Sequence, residues 1–436
     1  MTRNLRVGIA GLGTVGGGLV KLIQRRDDFA PAGGKIVIAG VCALSPTAHT
    51  GFDITSYRWF DNPIDLASDP DIDVFVELMG GAGGITKAAV EAALSHGKSV
   101  VTANKALLAQ HGAPLAVLAE ANDASLLYEA AVMGGTPAVK LVREAMVADE
   151  ITTVAGILNG TCNYILTEME GLLDRGGQAP ADAFHAVLTE AQRIGYAEAN
   201  PTTDIGGFDA AHKITLLAAL AFDCAPNFAA AEIEGIEQVE LLDIKLARDL
   251  GYRIRLVAQA ARVDGGVSVR VHPALAPIGH PLAETTGALN ALFIEGKKIG
   301  RIFIQGAGAG EGPTAAAVAA DLADLLTGAR RPVFQSPAAS LKPFEPVDAA
   351  HTIGRAYVRL LVRDEPGVIA AVTETLAEAG VSIDSFLQKP VADAGGVPIV
   401  LTTHEAPEKV IAEAVRRMAL LPALIQPPRM IRIARI

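Results

Sequence analysis

One stretch, Gly195 to Lys213 (GYAEANPTTDIGGFDAAHK), places Glu198, Asp204, Asp209 and Lys213 within sixteen residues. It runs into Ile214–Phe222 (ITLLAALAF), where Thr215 alone is polar. A helix over that segment is apolar all round and has to be buried. Asp209 and Lys213 stand four apart and share one face at its N-terminal end. Charged groups at the mouth of a buried helix are costly unless they are paired or do chemistry. The plainer alternative is a solvated pair that merely precedes a core helix. Two more carboxylates and the Gly-rich turns around the pair argue for a site. A lysine held by Asp209 can steady a developing alkoxide and give it a proton. Ionised Glu198 only accepts hydrogen bonds, which suits an ammonium group.

Such chemistry needs a second reactant and a frame to hold it. Leu5–Ala10 reads as a strand and is followed by Gly11-Leu12-Gly13-Thr14-Val15-Gly16, then Gly17, Gly18 and a helical run to about Gln24. Between a strand and a helix each glycine of this pattern has a task. Gly11 makes the tight turn, Gly13 lets a pyrophosphate approach, and Gly16 lets helix and strand pack closely. The helix N-terminus then meets phosphates with free N–H groups. A second strand, Lys35–Val41, leads to Cys42–Thr50, which holds neither Asp/Glu for a ribose 2′-OH nor Arg/Lys for a 2′-phosphate. The choice between NAD and NADP is therefore open. Asp73–Met79 and Lys98–Thr102 read as the next two strands. Ligands gather at the carboxyl ends of such strands, so Lys105 is expected to face the cofactor; the alternative is an exposed helix-start lysine. Ser125–Tyr128 runs into Glu129 and a Gly/Pro-rich turn, which reads either as a plain strand-end turn or as a carboxylate and carbonyls for a hard cation.

Further on, Ile151–Leu158 is strand-like, and Asn159–Asn163 opens a helix. Pro180–Ile194 is a helix closed by Gly195. Residues 254–272 and 289–304 alternate as strands, and the second run empties into Gly306-Ala-Gly308-Ala-Gly310 before a helix, Ala315–Leu326. That turn either caps the nicotinamide end of a cofactor or is a packing turn. Arg330–His351 is rich in Pro, Ala and Ser and reads as a linker. The order after it is βαββαβ.

At 436 residues the chain exceeds a single core of ~250–300 residues. Its net charge is −11 with no long Lys/Arg run, which gives no case for nucleic acid or an anionic membrane. The longest apolar runs are about half the ~18–20 residues that span a bilayer. Cys42, Cys162 and Cys224 are widely spaced and odd in number, without a metal-type pattern. The N-terminus runs straight into a strand with no signal-like segment, so a cytoplasmic location is expected.

GLGTVG, VTANKALLA, YEAAVMGGTPAV, LNGTCNYIL, GYAEANPTTDIGGFDAAHK and GAGAGEGPTA occur here in the order found in homoserine dehydrogenases. The resemblance covers essentially residues 1–330. It implies reversible hydride transfer between L-homoserine and L-aspartate 4-semialdehyde with NAD(P). It implies an α/β fold with a Rossmann domain over 1–137 and an α+β catalytic and dimerisation domain over 138–327, its last helix packing back on the first domain. A linker at 328–351 and an ACT-like βαββαβ domain at 352–436 complete the organisation. Lys213 becomes the proton donor and acceptor, with Lys105 and Asp209 beside it in the catalytic set. Glu198 and Asp209 contact the substrate, and Asp204 supports the site. Gly11, Leu12, Gly13, Thr14, Val15, Gly16, Lys105, Gly195 and residues among Gly306, Gly308 and Gly310 fall at the cofactor. Glu129 with the backbones of Val132, Gly134 and Thr136 would hold a sodium-type cation. Leu44–Thr50 departs from the family, since many relatives carry basic residues there. RDEPGV, with Asp364 and Gly367, resembles the first turn of an ACT domain and implies control by L-threonine at paired domains in a homodimer; a purely structural or dimerising module is the alternative.

Two other readings stand beside this one. Thioester chemistry would need a nucleophilic cysteine, and Cys162 is the candidate, though no His lies near it in sequence. A non-catalytic sensor on an enzyme fold is the third, against which the intact Lys105, Asp209 and Lys213 count.

Overall fold

A computed structural model describes residues 4–25, 34–45, 51–175, 180, 182–263, 266–347, 352–389 and 395–435. The first unit is a six-stranded parallel sheet built from β1 (Asn4–Ala10), β2 (Lys35–Cys42), β3 (Arg58–Phe60), β4 (Val74–Glu77), β5 (Ser99–Thr102) and β6 (Leu126–Leu127). Its order is β3-β2-β1-β4-β5-β6, the doubly wound arrangement whose order reverses between β1 and β4. The helices between the strands are α1 (Thr14–Arg25), α2 (Pro63–Ser68), α3 (Gly84–Ser95) and α4 (Lys105–Ala121). The strands are short apolar runs because both faces are covered. Sequence reading passed over β3 and α2. Three strand residues set among Asp, Asn and Pro carry no periodicity to read.

The chain then forms two short turns, α5 (Ala130–Met133) and α6 (Ala138–Lys140), and enters β7 (Ile151–Ile157). Helices α7 (Gly160–Asp174), α8 (Ala183–Arg193), α9 (Thr202–Ile205) and α10 (Phe208–Phe222) follow. After them come β8 (Glu232–Ile233), α11 (Leu241–Asp249), β9 (Tyr252–Val263), β10 (Gly266–Pro277), α12 (Pro281–Glu284), β11 (Leu289–Gly296), β12 (Gly300–Ala307) and α13 (Glu311–Thr327). Nearly every side chain of α10 is buried, as its composition requires, and the helix lies against β7, β9, β10 and α4. Helix α13 turns back to the first unit. Its Ala315, Val318 and Leu322 share a core with Leu19 and Val20 of α1.

The C-terminal module is β13 (Ile353–Val362), α14 (Val368–Glu378), β14 (Ile383–Gln388), β15 (Val397–Thr403), β16 (Ala406–Pro407), α15 (Glu408–Met418) and β17 (Leu424–Ile433). It is not a free appendage. Strand β17 pairs with β13 on one side and with β10 on the other, giving one sheet ordered β12-β11-β7-β9-β10-β17-β13-β15-β14. The Pro-rich segment before it, expected as a linker, is a strap laid along the body. Val333 and Phe334 are buried, the Tyr128 hydroxyl donates to the Val333 carbonyl at 2.9 Å, and Val267 N donates to Glu345 O at 2.9 Å.

Candidate active site

Three chain segments that lie far apart in sequence meet at the carboxylate of Asp209. The residue sits in the first turn of α10, where the free N–H groups favour negative charge. Lys213, one turn on, donates to Asp209 Oδ2 at 2.8 Å and to the carbonyl of Leu158, just past β7, at 2.7 Å. Lys105 opens α4 and reaches Asp209 Oδ1 at 3.1 Å. Its approach is fixed by Asn104, whose side chain caps α4 and donates to Gly81 O at 2.7 Å, tying together the turns after β4 and β5. Asn159 caps α7 by accepting from Cys162 N, and its amide donates to Asp209 Oδ2 at 2.9 Å and Asp204 Oδ1 at 2.7 Å.

The electrostatics follow from this packing. Burial alone would push the Asp209 carboxyl up. The ammonium groups of Lys213 and Lys105 and the Asn159 amide outweigh it and hold the group below the usual carboxylate range. Asp204 is raised, first by burial and then by the neighbouring Asp209 charge. The two lysines diverge. Lys213, its side chain 9% exposed, is lowered by burial against the opposing pull of Asp209, whereas Lys105, at 38%, is raised by that same charge. An ammonium has three donors. Two of those on Lys213 are committed to Asp209 and Leu158, and one remains for the cavity that it lines.

That cavity, about 820 Å³, lies between the two halves of the molecule. Thr14 and Val15 reach it from the first Gly-rich turn, Gly308 and Gly310 from the second, and Lys105, Gly195, Glu198, Asp204, Asp209 and Lys213 from the remaining wall. Glu198 stands exposed at the rim, near enough for its charge to act on Lys105. Gly11, Leu12, Gly13, Gly16 and Gly306 are outside the lining and shape the turns behind it. A Cβ at Gly16 would stand 1.9 Å from Gly11 O, while nothing lies within 4 Å of the corresponding point at Gly13. The open side of Gly13 and the acid-free first turn of α1 form a cradle that fits a dinucleotide pyrophosphate.

The strand-end turn after β6 does not join this wall as a unit. Val132 lines the cavity, but both carboxylate oxygens of Glu129 accept amides of α6, from Val139 at 2.9 Å and Lys140 at 2.8 Å. Gly134 abuts the backbone of Gly308 and Thr136 abuts Gly306, so this turn braces the second Gly-rich turn from behind. Most of Cys42–Thr50 lies outside the described residues. Cys162 is fully buried, its thiol pushed well up by burial and directed at Asp204 O, which removes it as a nucleophile. Sequence reasoning missed Asn159 and Asn290. The first carried a signal, an Asn ahead of a helix, that announced a cap but not a bridge between two acids. The second carried none.

Comparison with known proteins gives the family. Residues 11–129 match the NAD-binding domain of homoserine dehydrogenase, 137–323 match homoserine dehydrogenase itself, and 356–419 match the ACT domain. The homoserine dehydrogenase of Neisseria gonorrhoeae is 40% identical over 438 residues, covering 98% of each chain. The crystal structure of a homoserine dehydrogenase from Thiobacillus denitrificans superposes with a TM-score of 0.91 at 38% identity over 99% of both chains. A hyperthermophilic archaeal homoserine dehydrogenase in complex with NADPH, 25% identical, covers 76% of this chain and 99% of its own with a TM-score of 0.64. The chain belongs to the homoserine dehydrogenase family: it is an oxidoreductase that interconverts L-homoserine and L-aspartate 4-semialdehyde with a nicotinamide coenzyme, on the route to threonine, methionine and isoleucine.

Proposed function

We propose that Lys213 carries the proton of this reaction and that Lys105 and Asp209 complete the catalytic set. The observation that supports it is the buried Lys213 ammonium, two of its donors fixed and the third left to the cavity. When bound, the nicotinamide ring supplies or accepts the hydride. In semialdehyde reduction Lys213 and Lys105 stabilise the developing alkoxide, and Lys213 protonates it. In homoserine oxidation Lys213 must first be neutral, and it takes the hydroxyl proton. Asp209 fixes both lysines, Asp204 is fixed in turn through Asn159, and Glu198 receives the substrate ammonium. The test is the initial rate of homoserine oxidation, followed by coenzyme absorbance, for the wild type and Lys213→Ala with NAD and NADP in parallel. Turnover that survives in folded Lys213→Ala overturns the assignment.

Several finer features belong to the same proposal. The cofactor lies along Gly11–Gly16, Lys105, Gly195 and the Gly306–Gly310 turn. The coenzyme is NADP or NAD, with tolerance of NAD favoured, since Cys42–Thr50 holds neither a cationic anchor for a 2′-phosphate nor a carboxylate for a 2′-hydroxyl; the ratio of initial rates with the two coenzymes decides it. A sodium-type cation sits at the Glu129, Val132, Gly134 and Thr136 turn, and exchange of sodium for choline tests it. The units are 1–137, 138–327, 328–351 and 352–436, in a cytoplasmic homodimer whose ACT modules bind L-threonine around Asp364 and Gly367. Among the described residues no helix is long and apolar enough to cross a membrane.

A further inference from the structure

The Leu158 carbonyl accepts two donors, Lys213 Nζ at 2.7 Å and the side-chain amide of Asn290 at 3.0 Å. Asn290 lies on β11 with 1% of its surface exposed. Its placement follows from register: Ala291 stands opposite Ile157, so the residue before it falls beside Leu158. On its other side is the second Gly-rich turn. A Cβ at Gly308 would stand 2.1 to 2.4 Å from Cγ, Nδ2 and Oδ1 of Asn290, so the amide plane lies directly on the Gly308 backbone. The amide is thus wedged between the turn that walls the coenzyme cavity and the carbonyl that holds the lysine.

We propose that Asn290 is a positioning residue for Lys213, set in place by Gly308, through which the Gly-rich turn tunes the proton carrier. This rests on Lys213 being that carrier. A carbonyl oxygen has two acceptor lone pairs, and here one is given to a neutral amide. The oxygen therefore has less to offer the ammonium, and the neutral lysine needed for homoserine oxidation is easier to reach. The charged and titratable groups around Lys213 are Asp209 and His212 on α10, Lys105 on α4, Asp204 on α9 and Cys162 on α7. None of them is touched by a change at Asn290. A polar residue with no partner requirement at this position would be an expense to the core, since an apolar residue of similar size packs as well. Gly308 is equally constrained, because any side chain there would displace the amide.

The test is the pH dependence of kcat and KM for homoserine oxidation in the wild type, Asn290→Leu, Gly308→Ala, the Asn290→Ala/Gly308→Ala double variant with its Asn290→Ala parent, and Lys213→Ala. Asn290→Leu keeps the volume and removes the donor. It is expected to move the alkaline rise of kcat upward by about half a unit to one unit, with homoserine KM within about twofold. An unmoved profile, an acid shift, or a loss confined to KM overturns the proposal, the last because it makes Asn290 a substrate contact. Gly308→Ala is expected to lower kcat, and shortening Asn290 should restore part of that loss by making room. Strict additivity of the two changes overturns the wedge. If Lys213→Ala keeps its rate, the reading of Lys213 itself has failed. If that variant is dead while Asn290→Leu has the wild-type profile, only the present inference has.

Discussion

Two buried carboxylates in this molecule are each held by cationic and neutral donors and have opposite uses. Asp209 is held by Lys213, Lys105 and the Asn159 amide. Asp243, fully buried at the start of α11, is held by Arg359 at 2.6 Å and by the Tyr357 hydroxyl at 3.2 Å, both from β13 of the C-terminal module. The differences lie in the cations and in the space. Arg359, 2% exposed, grips Asp243 with a planar fork that never loses its proton. The lysines are single points of charge whose protonation responds to burial, and they face a cavity large enough for reactants. A buried ion pair becomes chemistry when it keeps a labile proton and room beside it; closed over and built on arginine, it is a rivet.

Five outcomes would break or sharpen that contrast. Lys213→Ala should lower kcat by about 10³ while the fold is kept, because Lys105 and the Asn159 amide still hold the Asp209 carboxylate. Activity lost only in step with unfolding would erase the distinction. Asp243→Ala should do the reverse, destabilising the fold by about 3–5 kcal/mol in chemical denaturation by leaving the buried Arg359 to the exposed Glu240 carboxylate, with kcat of the folded fraction near wild type. A folded, stable variant with lost activity would make Asp243 part of the site. Lys105→Met should cost about 100-fold in kcat/KM by removing one donor to the alkoxide. Parity with the wild type would return Lys105 to the role of a helix-start lysine.

The fourth outcome concerns pH. Burial lowers Lys213 below the ordinary lysine value, so the neutral amine gains population as pH climbs from neutral toward that value. Homoserine oxidation, which needs the neutral form, should therefore accelerate into the alkaline range, while semialdehyde reduction, which needs the ammonium, should not. A flat oxidation profile would sink the assignment. At the small end of the scale, Arg248→Gln removes the exposed contact to Asp174 and should change stability by about 0–0.5 kcal/mol, the value of an ordinary surface pair.

How far the sequence reached depended on the range of each interaction. The Asp209–Lys213 pair, the first Gly-rich turn and the βαββαβ order were readable because spacing along one element carries them. The helix bearing the pair could be placed because its apolar run admits no solvent-facing side. Asn290 was not readable. Its role depends on a strand register that brings it beside Leu158, 132 residues away, and on a glycine from a third segment. The Arg359–Asp243 pair spans 116 residues and left no local trace either. The course of the Pro-rich strap was hidden for a related reason. Composition marks a segment that makes no regular structure, yet Val333 and Phe334 find slots in the body that composition cannot reveal. Where the site departed from expectation, it was in shared hydrogen bonds rather than in the ionised groups themselves.

Strand β17 has a consequence for how the protein comes into being. It is the single strand through which the β10 edge of the body joins the β13 edge of the C-terminal module, and it is made after every other described element. While the ribosome is still working, the β13 edge and the part of the β10 edge beyond its pairing with β8 stand open as templates for a stray strand, the condition that invites misassembly. Emergence of residues 424–433 covers the β13 edge and joins it to β10 at Ala274 and Leu275. A protease cut just ahead of Leu424 in the nascent or partly opened chain would reverse that event and expose strand edges on both units, leaving the C-terminal module tethered by the strap and by the Arg359–Asp243 and Arg270–Glu408 pairs.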